Sequence, residues 1–488
     1  MIDLLVTAGT VITVDADRRV ITRGAIAIDE GRIVAVGPAA EVEAHHDAAA
    51  HVDIPHGVAL PGLIDAHSHA GHALVRTMAD DLPFWMEACE RIYLHGATPG
   101  FWQAEAQLTA LERLMAGTTT SLSMLGGAGD TVRCDQADHG NAHLAAYAET
   151  GLRSILAVGP GAPPFPKLTT VHGAAGPSKR ASSFADQMAV VQALVDGWKD
   201  HPLVSPAVTY PTLPQEEVGP VPDPELVSGA GEVRSVSDEN SLLIVQDGHR
   251  GDTVEASAAL GLLGPRTLLS HAVDLERAHI ELLAETGAAV AHNPSAIFSQ
   301  YGRCPVPELL DAGVTVGLGS DATAPDRSAD MFRHMFQLTR YHRADRHDPM
   351  LFPPGMTLEM ATVGSAAALG MDGDVGSIEE GKLADVILVD TNRPHLTPFT
   401  HPVHQLVYFA TGGDVDTVIV GGEVLMRDRR LESIDVPSIL EEARRQQHLA
   451  WGRAGIEVPA ARPGLWGALR YEDDPTGAAA PSLGESRR

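Results

Sequence analysis

The sequence predicts an α/β fold: a parallel (β/α)8 TIM-like barrel with a small β-sandwich domain formed by its N- and C-terminal segments. Three observations predict it. Eight apolar, strand-like runs recur through the middle of the chain, amphipathic stretches separate several of them, and a texture of short strands and turns appears at both ends. Strands buried on both faces read as continuous apolar runs, and a parallel pair needs a crossover, usually a helix.

In chain order, LLVTAGTVITVD and AIAIDEGRIVAVG are β-rich runs, the second interrupted at Glu30-Gly31 as a hairpin turn would be. The barrel strands then read VALPGLIDAHSH, TTTSLSML, RSILAVG, LVSPAVTYP, SLLIVQ, TLLSHAV, AAVAHNP and VTVGLGSDA, with helical stretches such as AEAQLTALERLMAG and LERAHIELLAETG between them. Pro and Gly crowd residues 160–182 and 211–238, which read as long loops near a pocket. The β texture returns in DVGSIEEGKLADVILVD and DTVIVGGEVLMRDRRL, so residues 1–57 and 371–435 are expected to pair into one sandwich around a 58–370 barrel. Residues 436–488 are expected to form a C-terminal helix and a loosely ordered tail, because the composition past Glu457 turns to Pro, Gly, Ala and Ser.

Composition narrows the function classes. A net charge of −29 disfavours nucleic acid and anionic membranes, which are bound chiefly through Lys and Arg, and suits a neutral or cationic small molecule. There is no apolar run near the roughly 18 residues of a membrane span, and MIDLLVTAGTVITVD carries acid where a signal peptide needs base, so a cytoplasmic protein is expected. The three cysteines lie far apart without a CxxC, which argues against a disulfide framework or a thiolate metal site.

The strongest chemical signal is PGLIDAHSH, where an apolar strand ends in His67 and His69. Alternation sends both side chains to one face, into the barrel mouth, at a spacing that can grip one cation. Such a pair arises by chance in a chain with 23 histidines, so the weight comes from its company. Asp321 ends the last barrel strand, which closure sets beside the first, and His271 ends another.

The run PGLIDAHSH, with SHAVDL, AHNPSA, GSDA and GSIEEGKLADVILVD, resembles the amidohydrolase superfamily from Met1 to about Arg430, above all its cytosine-deaminase-like and triazine-hydrolase-like enzymes. The resemblance implies one divalent metal ion, Zn2+ or alternatively Fe2+, and hydrolysis of a C–N or C–halogen bond of an amino-substituted N-heterocycle by metal-activated water. By position, His67 and His69 match metal ligands, Asp321 the ligand that also serves as base, and His271 the histidine that touches water or substrate. A further ligand is expected at the end of the fifth barrel strand, in a His-x-x-Glu motif. This chain reads SLLIVQDGHRGD there. Alternation from Leu242 and Ile244 puts Gln246 at the ligand position, with His249 as the alternative. The leaving amine then needs a donor among His249, Asp252 and Asp247, in that order. In the segment matching the family's pocket roof, Trp85 and Glu87 are candidates for substrate binding, as is His292 in AHNPSA; Phe84 and Tyr93 are aromatics that stack on a heterocycle or pack the loop. A linear amide, carbamate or urea as substrate, or a non-catalytic homologue with a decayed site, are the competing readings. A homo-oligomer is expected.

Overall fold

The computed structural model describes residues 1–76, 85–127, 132–299, 302–324, 327–431 and 433–456. Four strands open the chain: β1 (Ile2–Ile12), β2 (Val20–Asp29), β3 (Arg32–Pro38) and β4 (Ala48–Pro61). The β2–β3 connection is the expected hairpin, with Glu30 at φ 48° and Gly31 at φ 75°, the left-handed pair that a two-residue turn needs. Late in the chain β15 (Val386–Asp390), β16 (Val415–Val420) and β17 (Glu423–Met426) return, and the two ends join in one seven-stranded sheet ordered β17-β16-β15-β4-β1-β2-β3. Strand β15 pairs antiparallel with β4 over residues 57–61, so the sheet reaches past position 57.

Between these ends run β5 (Leu63–Ala70), β6 (Thr118–Leu125), β7 (Arg153–Val158), an antiparallel hairpin of β8 (Lys167–Gly173) and β9 (Gly176–Ser182), then β10 (Val204–Thr209), β11 (Ile244–Gln246), β12 (Thr267–Ser270), β13 (Ala289–His292) and β14 (Val316–Leu318). Without the hairpin these form an eight-stranded sheet of parallel pairs in the order β14-β13-β12-β11-β10-β7-β6-β5, and each matches one expected run. A parallel bridge between Ser68 and Asp321, with the Asp321 amide donating to the His67 carbonyl at 2.9 Å, joins the last strand to the first.

Two faces of each strand feed two cores. Ile64, Ala66, Leu122, Met124, Ile155, Ala157, Val245, Leu268, Ala289 and Ala291 pack inside the barrel, while Leu156, Val208, Ile244, Leu269 and Val290 pack outward against the helices. This inward set fixes which residues reach the mouth.

Two stretches expected to be loops are ordered. Residues 160–182 contain the β8–β9 hairpin, and residues 211–238 contain the helices Gln215–Val218 and Pro224–Asn240. The longer helix has a weak apolar stripe, but Asp223 caps it by accepting the Glu225 amide at 2.8 Å and Pro224 pre-sets its first turn. The expected C-terminal helix is present as Val436–Ala454; the expected tail lies outside the described residues.

Candidate active site

Strand β5 delivers His67 and His69 through an irregularity. Ile64 and Ala66 face inward, so strict alternation would send both histidines outward; the register against β6 shifts between Asp65 and Ser68 and turns the strand end. His69 Nδ1 lies 3.0 Å from the Gly126 carbonyl, which fixes the proton on Nδ1 and leaves the Nε2 lone pair facing the mouth. Neither ring nitrogen of His67 makes a well-formed hydrogen bond to the described residues, although the side chain is fully buried. Such a group is costly unless an ion or water completes it.

Around these rings stand His271, Asp321 and Asp247. His67, His69 and Asp321 form one group with ligand atoms within 4.8 Å of one another, and His67, Asp247 and His271 form a second. His271 and Asp321 both hold left-handed backbone, at φ 67° and 63°, a strained conformation for non-glycine residues that aims both side chains at the same point. Asp321 divides its oxygens: Oδ1 lies 3.3 Å from His69 Nε2, and Oδ2 lies 3.6 Å from Nε of the buried Arg327.

The charges reinforce one another. Burial alone would lower His69, but the Asp247 and Asp321 carboxylates outweigh it and raise the ring to about 10. Burial opposes ionisation of Asp247, yet His67 and His69 hold it well below the usual carboxylate range. Asp321 is likewise held low, against burial, by Arg327, His271 and His69. Without an ion, the proton held on His69 offsets part of the charge of the two carboxylates, and a divalent cation would displace it.

The end of β11 departs from expectation. Because Val245 faces inward and Ile244 outward, alternation from Val245 brings Asp247, not Gln246, to the mouth. The Gln246 amide instead donates to the Tyr210 and Pro211 carbonyls, each at 3.3 Å, and ties β11 to the end of β10. Taking Leu242 and Ile244 as the inward set inverted the phase. His249 is buried with Nδ1 3.1 Å from the Thr253 hydroxyl and is in neither ligand group. Burial pushes it down to about 3, so it is neutral at pH 7 and is no resident acid. Asp252, another donor candidate, is exposed on the helix Gly251–Ala259.

His292 is corrected too. Ala289 and Ala291 face inward, so His292 points outward, where Nε2 sits 3.3 Å from His342 Nε2 on the helix Met331–Arg346; it braces the barrel wall and does not face the mouth. Glu87 is exposed on the first turn of the helix Trp85–His95. The side chain of Trp85, and Phe84 altogether, lie outside the described residues. Tyr93 packs inside, its ring 5.8 Å from His72, which stacks on His69 at 5.0 Å.

Sequence reasoning passed over Asp65 and Arg113. Asp65 accepts the Ser320 amide at 2.8 Å and hydroxyl at 2.6 Å, and pairs with Arg113 at 3.0 Å, so it anchors the residue beside Asp321. An aspartate inside an otherwise apolar PGLIDAH strand was the available signal.

Comparison with known proteins identifies the family. The Amidohydrolase family model matches residues 58–219 and 234–425, and an imidazolonepropionase-like composite domain of bacteria matches residues 24–49 in the terminal sheet region. A 5-methylthioadenosine/S-adenosylhomocysteine deaminase of Syntrophobacter fumaroxidans is 34% identical over 91% of this chain and 97% of its own length. A 5'-deoxyadenosine deaminase of Methanosarcina mazei is 32% identical over 91% and 98%. Among solved structures, an adenosine deaminase from Xanthomonas campestris with bound zinc superposes with TM-score 0.79 at 27% identity, over 92% of this chain and 99% of that one. With the family model matching residues 58–219 and 234–425, which include all eight barrel strands, this chain belongs to the amidohydrolase family.

Proposed function

We propose that the protein is a metal-dependent hydrolase that releases ammonia from an amino-substituted N-heterocycle, and that 6-aminopurine nucleosides are its substrate class. The observation that carries this reading is the group His67, His69 and Asp321, buried and within ligand distance at the barrel mouth. The deaminase relatives above 30% identity over 91% of the chain supply the substrate class. The reaction balances as ring C–NH2 plus water giving ring C=O plus ammonia.

His67, His69 and Asp321 are the residues that hold the ion, for which imidazole and carboxylate donors suit Zn2+, with Fe2+ as the alternative. The ion, when bound, supplies the Lewis acidity that makes water a nucleophile near neutral pH. Asp321 keeps Oδ2 turned toward Arg327 and takes the proton from the attacking water. His271, with Nδ1 3.5 Å from the Asn293 amide, stands to steady charge developing on the ring. His249, neutral and buried, relays a proton to the departing amine rather than storing one. The reading carries a cytoplasmic homo-oligomer with it, as expected from an N-terminus unlike a signal peptide and from the exposed sheet edges and barrel helices; no helix among the described residues is long and apolar enough to cross a membrane.

The test measures metal content and ammonia release over adenosine, 5'-deoxyadenosine, methylthioadenosine, cytosine, guanine, an aminotriazine, linear amides and ureas. The expected result is close to one divalent ion per chain and turnover of the aminopurine nucleosides, abolished in His67→Ala. Turnover confined to linear amides or ureas overturns the substrate class; protein without stoichiometric metal and without turnover overturns the enzyme assignment in favour of a binding homologue.

A further inference from the structure

We propose that Asp247 is a metal ligand of this site, supplied from the end of β11 as a carboxylate beside His67, His69 and Asp321. The inference rests on the metal-dependent reading above and deepens it.

Asp247 is one residue beyond the last residue of β11 and follows the inward phase of Val245. Both its oxygens are engaged by rings of the site: Oδ1 lies 3.2 Å from His67 Nε2 and 3.2 Å from His271 Nε2, and Oδ2 lies 3.3 Å from His69 Nε2. The Ser270 hydroxyl donates to Oδ1 and itself accepts the Gly248 amide at 3.2 Å, so the carboxylate is oriented from behind, as ligating carboxylates are. The contacts between the three imidazoles and the two carboxylates run from 3.2 to 3.9 Å, and the ligand atoms fall in two groups that share His67, one with Asp247 and His271 and one with His69 and Asp321. Around one ion at about 2.1 Å from each donor, neighbouring donors sit about 3.0 Å apart at a right angle and about 3.6 Å apart at 120°. Asp247 therefore stands at ligand spacing from His67 and His69, the two imidazoles that also face Asp321.

The consequence is electrostatic and chemical. Two carboxylates cancel the charge of a divalent ion, and replacing a borderline imidazole by a hard oxygen donor moves the preference toward harder ions, Mn2+ and Fe2+, relative to Zn2+. A buried carboxylate pinned among three histidines also has a bland account: it merely pairs with protonated rings. The two accounts differ in what Asp247→Asn does.

The experiment measures the dissociation constants of Zn2+ and Mn2+ for the purified full chain by chelator competition, with metal analysis as a second readout, in the parent, Asp247→Asn, Asp247→His and His67→Ala. Asp247→Asn is expected to weaken both ions at least about tenfold. Asp247→His is expected to restore Zn2+ while leaving Mn2+ weak, which also covers the case in which Asp247→Asn folds poorly. If Asp247→Asn binds within about twofold of the parent while His67→Ala loses metal, Asp247 is not a ligand and the metal site stands without it. If Asp247→His binds Zn2+ and Mn2+ in the parent's ratio, the claim on ion preference fails. If His67→Ala binds as the parent does, the metal-dependent reading itself has failed.

Discussion

Removing Asp65 is expected to weaken the protein at its barrel seam. Its carboxylate is fully buried and pairs with an Arg113 side chain that is 3% exposed, with Nη2 at 3.0 Å and Nε at 3.3 Å from Oδ2. The same carboxylate accepts the amide and the hydroxyl of Ser320. In Asp65→Ala the guanidinium keeps the Tyr147 hydroxyl at 2.6 Å but loses its counter-charge, and stranding one partner of a buried pair costs about 3–5 kcal/mol. The orphaned Ser320 amide adds about 1–3 kcal/mol, less than additively because the groups share one network. A total near 4 kcal/mol is a large part of the 5–15 kcal/mol typical of a folded domain. Guanidinium unfolding followed by circular dichroism reads it. Replacing both partners with apolar residues, Asp65→Leu with Arg113→Met, is expected to recover most of the loss, because the pair is costly to break rather than valuable to keep. A single-variant cost below about 1 kcal/mol, or a double variant no better than the single, would refute the reasoning.

Two further outcomes are expected. At Gly319→Ala the new Cβ would stand 2.3 Å from Asn293 Oδ1 and 2.8 Å from the His67 carbonyl, so the strand end must shift; metal affinity, measured as above, should fall more than the melting temperature does. The pH dependence of stability should carry the signature of buried neutral histidines. Burial pushes His143 down to about 3 from an ordinary 6.5, so between those values the unfolded chain binds the extra proton. Stability is therefore complete above pH 6.5 and declines as pH falls, by up to about 1.4 kcal/mol per unit for each such histidine. Melting curves from pH 7 to pH 4 should slope less steeply in His143→Phe, and an unchanged slope would count against this assignment.

Legibility differed from element to element. All eight barrel strands were readable because a parallel strand covered on both faces is continuously apolar, and the β2–β3 turn was readable because Glu30-Gly31 meets a steric demand within two residues. The helix Pro224–Asn240 was not, since its start signal is one Asp-Pro pair and its apolar stripe is weak. At the site, His67, His69, His271 and Asp321 came together as expected. Gln246, Asp252 and His292 did not, and in each case the error was one of phase or exposure rather than of residue type.

The sequence by itself determined the barrel, the pairing of the two chain ends into one β-domain, and the four strand-end residues that mark the mouth, because these follow from apolar periodicity and the chemistry of side chains at fixed positions; that the ends form one seven-stranded sheet was decided by the structure. Only the tertiary structure decided that Asp247 faces the histidines while Gln246 and His292 turn away. A three-residue strand such as β11 is too short for its own alternation to declare a phase, and its inward face is set by which neighbours fill the barrel interior.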